Sequence, residues 1–202
     1  MKKLKTLSDE YLVKSYLKGN KAHGTLLCER YKKRISNFIY RKIQDSEAAK
    51  DLTQETFLRA FRSLGTFKQE STFSTWLFTI AHNVCRDHIN KVARERAIFE
   101  SRTRKSEDGE DCDDYKNTLP DPAPLPSQQL FEGERREIVG KTLAKLPEEQ
   151  RTAVILNVYE GFTYEEIALI TGVPEKTVGT RIYHAKIKLR KLLGPHLKDL
   201  MR

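Results

Sequence analysis

Thr163-Tyr164-Glu165-Glu166-Ile167-Ala168-Leu169-Ile170-Thr171-Gly172-Val173-Pro174-Glu175-Lys176-Thr177-Val178-Gly179-Thr180-Arg181-Ile182 contains two helix starts and one helix stop within twenty residues. Thr163 and Glu166 have the spacing of a capping box, in which the hydroxyl caps the first turn and the carboxylate reaches back to the Thr163 amide. Ile167, Ala168 and Ile170 supply a short apolar face. Gly172 supplies the left-handed turn residue, and Pro174 opens a second helix at a position that needs no amide donor. In that second helix Val178 and Ile182 point inward, while Lys176, Thr177, Thr180, Arg181, Tyr183 and His184 lie on other faces. Two short helices about a glycine turn, the second one basic, predict a helix-turn-helix. Such a second helix fits a DNA major groove, with its N-terminal half at the base edges. A plain helical hairpin in an all-α core is the alternative.

Upstream, Leu27, Tyr31, Ile35, Phe38 and Ile43 recur at three-to-five-residue steps along one helix face. Asp9-Glu10 and Asp45-Ser46-Glu47 mark helix starts, and Gly19-Asn20 marks a turn. A further helix from about Ser46 to Leu64 turns Leu52, Phe57, Ala60, Phe61 and Leu64 inward. After a break at Gly65–Ser71, another carries Phe73, Trp76, Leu77, Ile80 and Val84 at core spacing. No strand is required. The expected fold is all-α, with a helical bundle over residues 1–100 and the helix-turn-helix unit over 130–202.

Between these units the apolar period disappears. Ser106–Asp114 is acidic and Leu119–Pro126 is proline-rich, so residues 101–129 read as a flexible linker. The charge follows the same division. Residues 1–105 hold 23 Lys/Arg against 11 Asp/Glu, and residues 176–202 hold 8 against 1. The strip 106–127 holds 1 against 7. Two cationic regions on one chain suggest a polyanionic partner, with ordinary solvated surface as the alternative. The three cysteines lack CxxC spacing, and no apolar run approaches the roughly 20 residues that span a bilayer. No apolar signal core follows the basic N-terminus. The chain reads as cytoplasmic.

Two constellations carry binding chemistry in the N-terminal half. Asp51, Gln54 and Glu55, at i, i+3 and i+4, form one polar patch suited to a basic protein partner, or simply to solvent. The stretch from Phe67 to Phe78 interleaves aromatic, basic and hydroxyl groups, a mixture that suits unpaired bases. By spacing, Phe73 and Trp76 belong to the core. Phe67 and Lys68 in the loop, with Asn83 on the next helix, are the expected base contacts. His82, Cys85 and His88 converge only loosely and have no evident fourth ligand, so no metal site or cofactor is expected.

Together, Asp51-Leu52-Thr53-Gln54-Glu55-Thr56-Phe57, Phe73–Asn83, Leu146-Pro147-Glu148-Glu149-Gln150-Arg151 and the helix-turn-helix resemble the extracytoplasmic-function group of bacterial RNA polymerase sigma factors. The resemblance covers nearly the whole chain apart from the linker. It implies a non-enzymatic transcription initiation factor with two helical domains, sigma-2 and sigma-4. It assigns Asp51, Gln54 and Glu55 to the clamp helices of the polymerase's largest subunit. The loop from Ser63 to Phe73, with Asn83, is assigned to a flipped base of the −10 element, and the helix from Pro174 to Lys188 to the −35 element. An anti-sigma factor is implied as a further partner. The chain departs from the family pattern at Gly179, His184 and Lys186. Gly179 costs the helix about 1 kcal/mol relative to Ala, and the other two stand where Arg is common, which bears on guanine contacts. A ligand-sensing regulator and a metal-dependent nucleic-acid enzyme are the rival readings. Neither accounts for both basic ends and the Asp51/Gln54/Glu55 patch.

Overall fold

A computed structural model describes residues 7–103 and 138–194, which include helices and no strand. The N-terminal module has four helices: α1 (Asp9–Leu17), α2 (Lys21–Ile43), α3 (Ser46–Ser63) and α4 (Phe73–Thr103). The C-terminal module has α5 (residues 138–144), α6 (Glu148–Val154), α7 (Tyr164–Thr171) and α8 (Glu175–Leu193). The acidic and proline-rich stretch read as a linker lies outside the described residues.

Local chemistry sets most of the boundaries. The Ser8 hydroxyl accepts from the Tyr11 amide at the start of α1, and Asp45 accepts from the Glu47 and Ala48 amides at the start of α3. The Thr72 hydroxyl accepts from the Thr75 amide at 3.1 Å where α4 begins. Each cap satisfies donors that a helix start otherwise leaves without partners. Gly19, at φ +100°, allows the reversal between α1 and α2. The expected inward face of α2 is buried, with Leu27, Tyr31, Ile35 and Phe38 each at most 5% exposed. Arg30 donates to the Leu7 carbonyl at 2.9 Å and pairs with Asp9, which also accepts from the Tyr31 hydroxyl. These contacts tie α1 across α2.

The helix-turn-helix forms as its sequence dictates. The capping box is complete: the Glu166 amide donates to the Thr163 hydroxyl at 3.2 Å, and the Thr163 amide donates to Glu166 at 2.9 Å. Gly172 closes α7 at φ +70°, φ = +70° being in the left-handed region. Val178, Ile182 and Ala185 of α8 are buried.

One departure from α geometry lies upstream of the motif. Residues Ile155–Tyr159 form a π-helical turn that continues α6, and Asn157 donates from its side-chain amide to the Phe162 carbonyl at 3.1 Å. The turn delivers Phe162 to the N-terminal module, where its ring lies edge-on to Phe78 with centroids 4.9 Å apart. Helix α4 packs along α7, and one buried cluster runs through both modules.

Candidate polymerase and nucleic-acid interfaces

On α3, Asp51 and Gln54 are exposed and Glu55 is half-buried, all on the face away from Ala49, Thr53, Thr56 and Ala60. Glu55 accepts from Arg59 Nε at 2.7 Å, and Arg59 Nη1 reaches Asp87 of α4 at 2.9 Å. Arg59 therefore bridges Glu55 of the patch to Asp87 of α4 and ties the two helices together at its edge.

The loop after α3 differs from expectation in one respect. Phe67 is only 9% exposed and packs against Phe73 and Trp76, with centroids 5.8 and 5.2 Å away. The physical reason is the 3-10 turn Leu64–Thr66, closed by the Phe67 amide on the Leu64 carbonyl at 3.2 Å, which turns the ring inward. Phe73 is buried and Trp76 partly so, as their spacing predicts. Lys68 is exposed on this loop, and Asn83 is half-buried on α4. His82 and Cys85 serve other ends. His82 Nδ1 lies 3.2 Å from Lys42 Nζ, and burial, with the Lys42 charge, pushes its pKa down to about 4. Cys85 sits in the core, where burial pushes its thiol up to about 12.

On α8, Lys176, Thr180, Tyr183, His184 and Ile187 are exposed, and their spacing places them on the side opposite Val178, Ile182 and Ala185. Thr177 is half-buried at the first turn. Arg181 stands at the edge of the buried face, its side chain only 20% exposed, and donates to Glu149 of α6 at 2.6 Å. Position 181, one residue before the inward Ile182, already carries that signal. With His82, Arg86 and Glu148, Arg181 lines a cleft of about 140 Å³ between the modules.

Sequence reasoning missed four charged residues that join the modules. Arg34 of α2 donates from Nε to the Glu160 carboxylate at 3.0 Å and from Nη2 to the Glu160 carbonyl at 3.2 Å. Its guanidinium also lies over Phe78 and Phe162, at 5.2 and 5.9 Å. Lys42, with a fully buried side chain, meets Glu148 at 2.7 Å. Burial raises the Glu160 carboxyl pKa, against the opposing pull of Arg34. For Glu148, burial pushes the same way but the Lys42 hydrogen bond and charge prevail, and the net shift is downward.

Comparison with known proteins identifies both modules. The model of Sigma-70 region 2 matches residues 27–95 and that of Sigma-70, region 4 matches residues 136–189. The chain is 36% identical over 193 residues to the RNA polymerase sigma-H factor of Pseudomonas aeruginosa, an alignment covering 95% of this chain and 96% of that one. It belongs to the sigma factor family. More narrowly, this sigma factor is of the extracytoplasmic-function type. It is 30% identical over 192 residues to the ECF RNA polymerase sigma-E factor of Escherichia coli, covering 95% of this chain and 97% of the relative. Among solved structures it is similar to the sigma factor RpoE in complex with the anti-sigma factor NepR from Bartonella quintana. That match has a TM-score of 0.63 and 25% identity, and covers 84% of this chain and 96% of the other. The structure of CnrH in complex with the cytosolic domain of CnrY shares the fold, with a TM-score of 0.66, 22% identity, and coverage of 93% and 97%.

Proposed function

We propose that this sigma factor directs core RNA polymerase to its promoters by binding, with the polymerase supplying all the chemistry. The observation that carries the reading is a division of surfaces on one helical chain. An acidic and amide-bearing face stands on α3, and a hydroxyl-, aromatic- and cation-bearing face stands on the outward side of α8. Asp51, Gln54 and Glu55 meet basic groups on the polymerase clamp helices, because carboxylates repel DNA phosphates but suit a cationic protein surface. Lys176, Thr177, Thr180, Arg181, Tyr183 and His184 read the −35 element in the major groove. Lys68 and Asn83 hold an extruded −10 base, and the buried Phe67 supports the loop from beneath. Capture of that base offsets the few kcal/mol of unstacking that strand opening requires.

An anti-sigma factor is a further partner on this reading, and the work takes place in the cytoplasm. No described helix is long and apolar enough to cross a membrane. The test is in-vitro transcription by core polymerase on a genomic library, with start sites mapped with and without the chain. Glu55→Lys places a cation against the clamp and should abolish co-purification with core enzyme while leaving circular dichroism unchanged. Unaltered start sites in the presence of the purified wild-type chain would refute the proposal.

A further inference from the structure

Asp51, Glu55, Arg59 and Ser63 follow one another along α3 at single helical turns. Residues four apart on a helix share a face, with about 6 Å of rise from one to the next. The row begins in the acidic patch and ends at the 3-10 turn that leads into the Lys68 loop. Arg59 stands between the two. Its Nε meets Glu55 at 2.7 Å and its Nη1 meets Asp87 of α4 at 2.9 Å. Asp87 lies one helical turn after Asn83 on α4. One guanidinium thus links a residue of the polymerase patch to the helix that carries an expected base contact.

The two pairs are open to solvent: the side chains of Glu55, Arg59 and Asp87 are 40%, 44% and 53% exposed. Exposed ion pairs contribute little net free energy, so either partner is readily traded for an equivalent one. A basic group of the clamp helices that arrives at Glu55 competes with Arg59 for that carboxylate and repels the guanidinium. Arg59 is then left with Asp87 alone. The backbone of DNA held by Lys68 and Asn83 passes nearby, and a phosphate accepts the same paired N–H donors as a carboxylate.

We propose that Arg59 is an exchange cation: Glu55 and Asp87 hold it in the free chain, and polymerase docking on Glu55 hands it to a −10 phosphate. The proposal deepens the sigma factor reading and rests on it. Charge balances at each stage. In the free chain the guanidinium lies between two carboxylates. In the complex a clamp cation neutralises Glu55, and Arg59 lies between Asp87 and the phosphate. Docking thereby adds one phosphate contact to the −10 site without displacing a helix, and the free chain holds −10 DNA less tightly than the same module on polymerase.

Fluorescence anisotropy over a range of salt concentrations tests this. The first probe is a labelled fork-junction DNA whose −10 element comes from a start site that the chain directs. In complex with core polymerase, Arg59→Gln should reduce the slope of log affinity against log salt by about 0.7–0.9, the worth of one phosphate contact, with core binding retained. The second probe, labelled oligo-dT, is titrated against the full-length free chain. There E55Q/D87N should bind more tightly than E55Q/D87N/R59Q, with a slope steeper by about 0.7. R59Q alone should lose less slope than that against the wild type. Circular dichroism checks that each variant is folded. An unchanged slope in the R59Q complex would overturn the phosphate contact. Equal slopes for the double and triple variants would overturn the hold by Glu55 and Asp87. A full loss of slope in free R59Q would make Arg59 a permanent DNA contact and overturn the exchange, and loss of core binding in R59Q would assign it to docking instead. Failure of the wild type to bind polymerase would sink the sigma factor reading, while the oligo-dT comparison still decides whether the two acids withhold Arg59 from phosphate.

Discussion

Lys42 offers the sharpest quantitative prediction, because its two partners are unequally placed. Its side chain is fully buried, whereas that of Glu148 is 36% exposed. Glu148→Ala strands an ammonium group in the interface with only His82 Nδ1 nearby at 3.2 Å. Breaking a buried pair from one side costs about 3–5 kcal/mol. Solvent screening at the half-exposed carboxylate lowers that expectation to about 2 kcal/mol. The cost is capped by the free energy of parting the modules, since parting returns Lys42 to water. Lys42→Met is the opposite case: the methionine fills similar volume, the remaining Glu148 can reach solvent, and the change should stay within about 1 kcal/mol. The measurement is urea unfolding at pH 7.5, followed by circular dichroism, with the His82 imidazole titrated by NMR. In K42M the His82 pKa should rise from about 4, because the Lys42 charge contributes to its depression after burial. An E148A variant no less stable than K42M would refute the reasoning.

The depressed pKa of His82 also predicts an acid-sensitive chain. The unfolded chain takes up the proton near pH 6.5 and the folded chain near 4. Stability is therefore fully present above pH 6.5 and falls as pH drops toward 4, by up to about 1.4 kcal/mol per unit; His82→Gln should flatten that slope in pH-dependent urea midpoints. Gly24→Ala places a Cβ 2.6 Å from the Tyr16 ring, itself packed on Phe61 at 5.2 Å. It should lower stability by about 1–2 kcal/mol despite better helix propensity, read as a lower thermal midpoint. Arg181→Ala should weaken −35 binding roughly tenfold and reduce its salt dependence, while Glu149→Gln, which frees the guanidinium, should tighten it in the same fluorescence-anisotropy titration.

The C-terminal module could be read from sequence because its determinants are local. Thr163, Glu166, Gly172 and Pro174 act on amides within a few residues of themselves, and tertiary packing had nothing to overrule. The inward faces of α2 and α4 were legible for a related reason: a helix of fixed period must bury its apolar stripe. In sequence Phe67 reads as a loop residue free to touch a base; its inward aim comes from the 3-10 turn Leu64–Thr66 together with packing on Phe73 and Trp76. Arg34 and Lys42 gave no sequence signal at all. A cation on a long helix of a basic module reads as solvated surface, and only a carboxylate more than a hundred residues away makes it otherwise.

Sequence alone, then, determined the helical segments, the capping box of the helix-turn-helix and the two-module division, since short-range sterics and hydrogen bonding decide those. Tertiary structure alone decided that the modules meet, which cations are buried where they meet, and which predicted contact residue faces inward. Those outcomes depend on the mutual placement of surfaces far apart along the chain, and no local pattern encodes that placement.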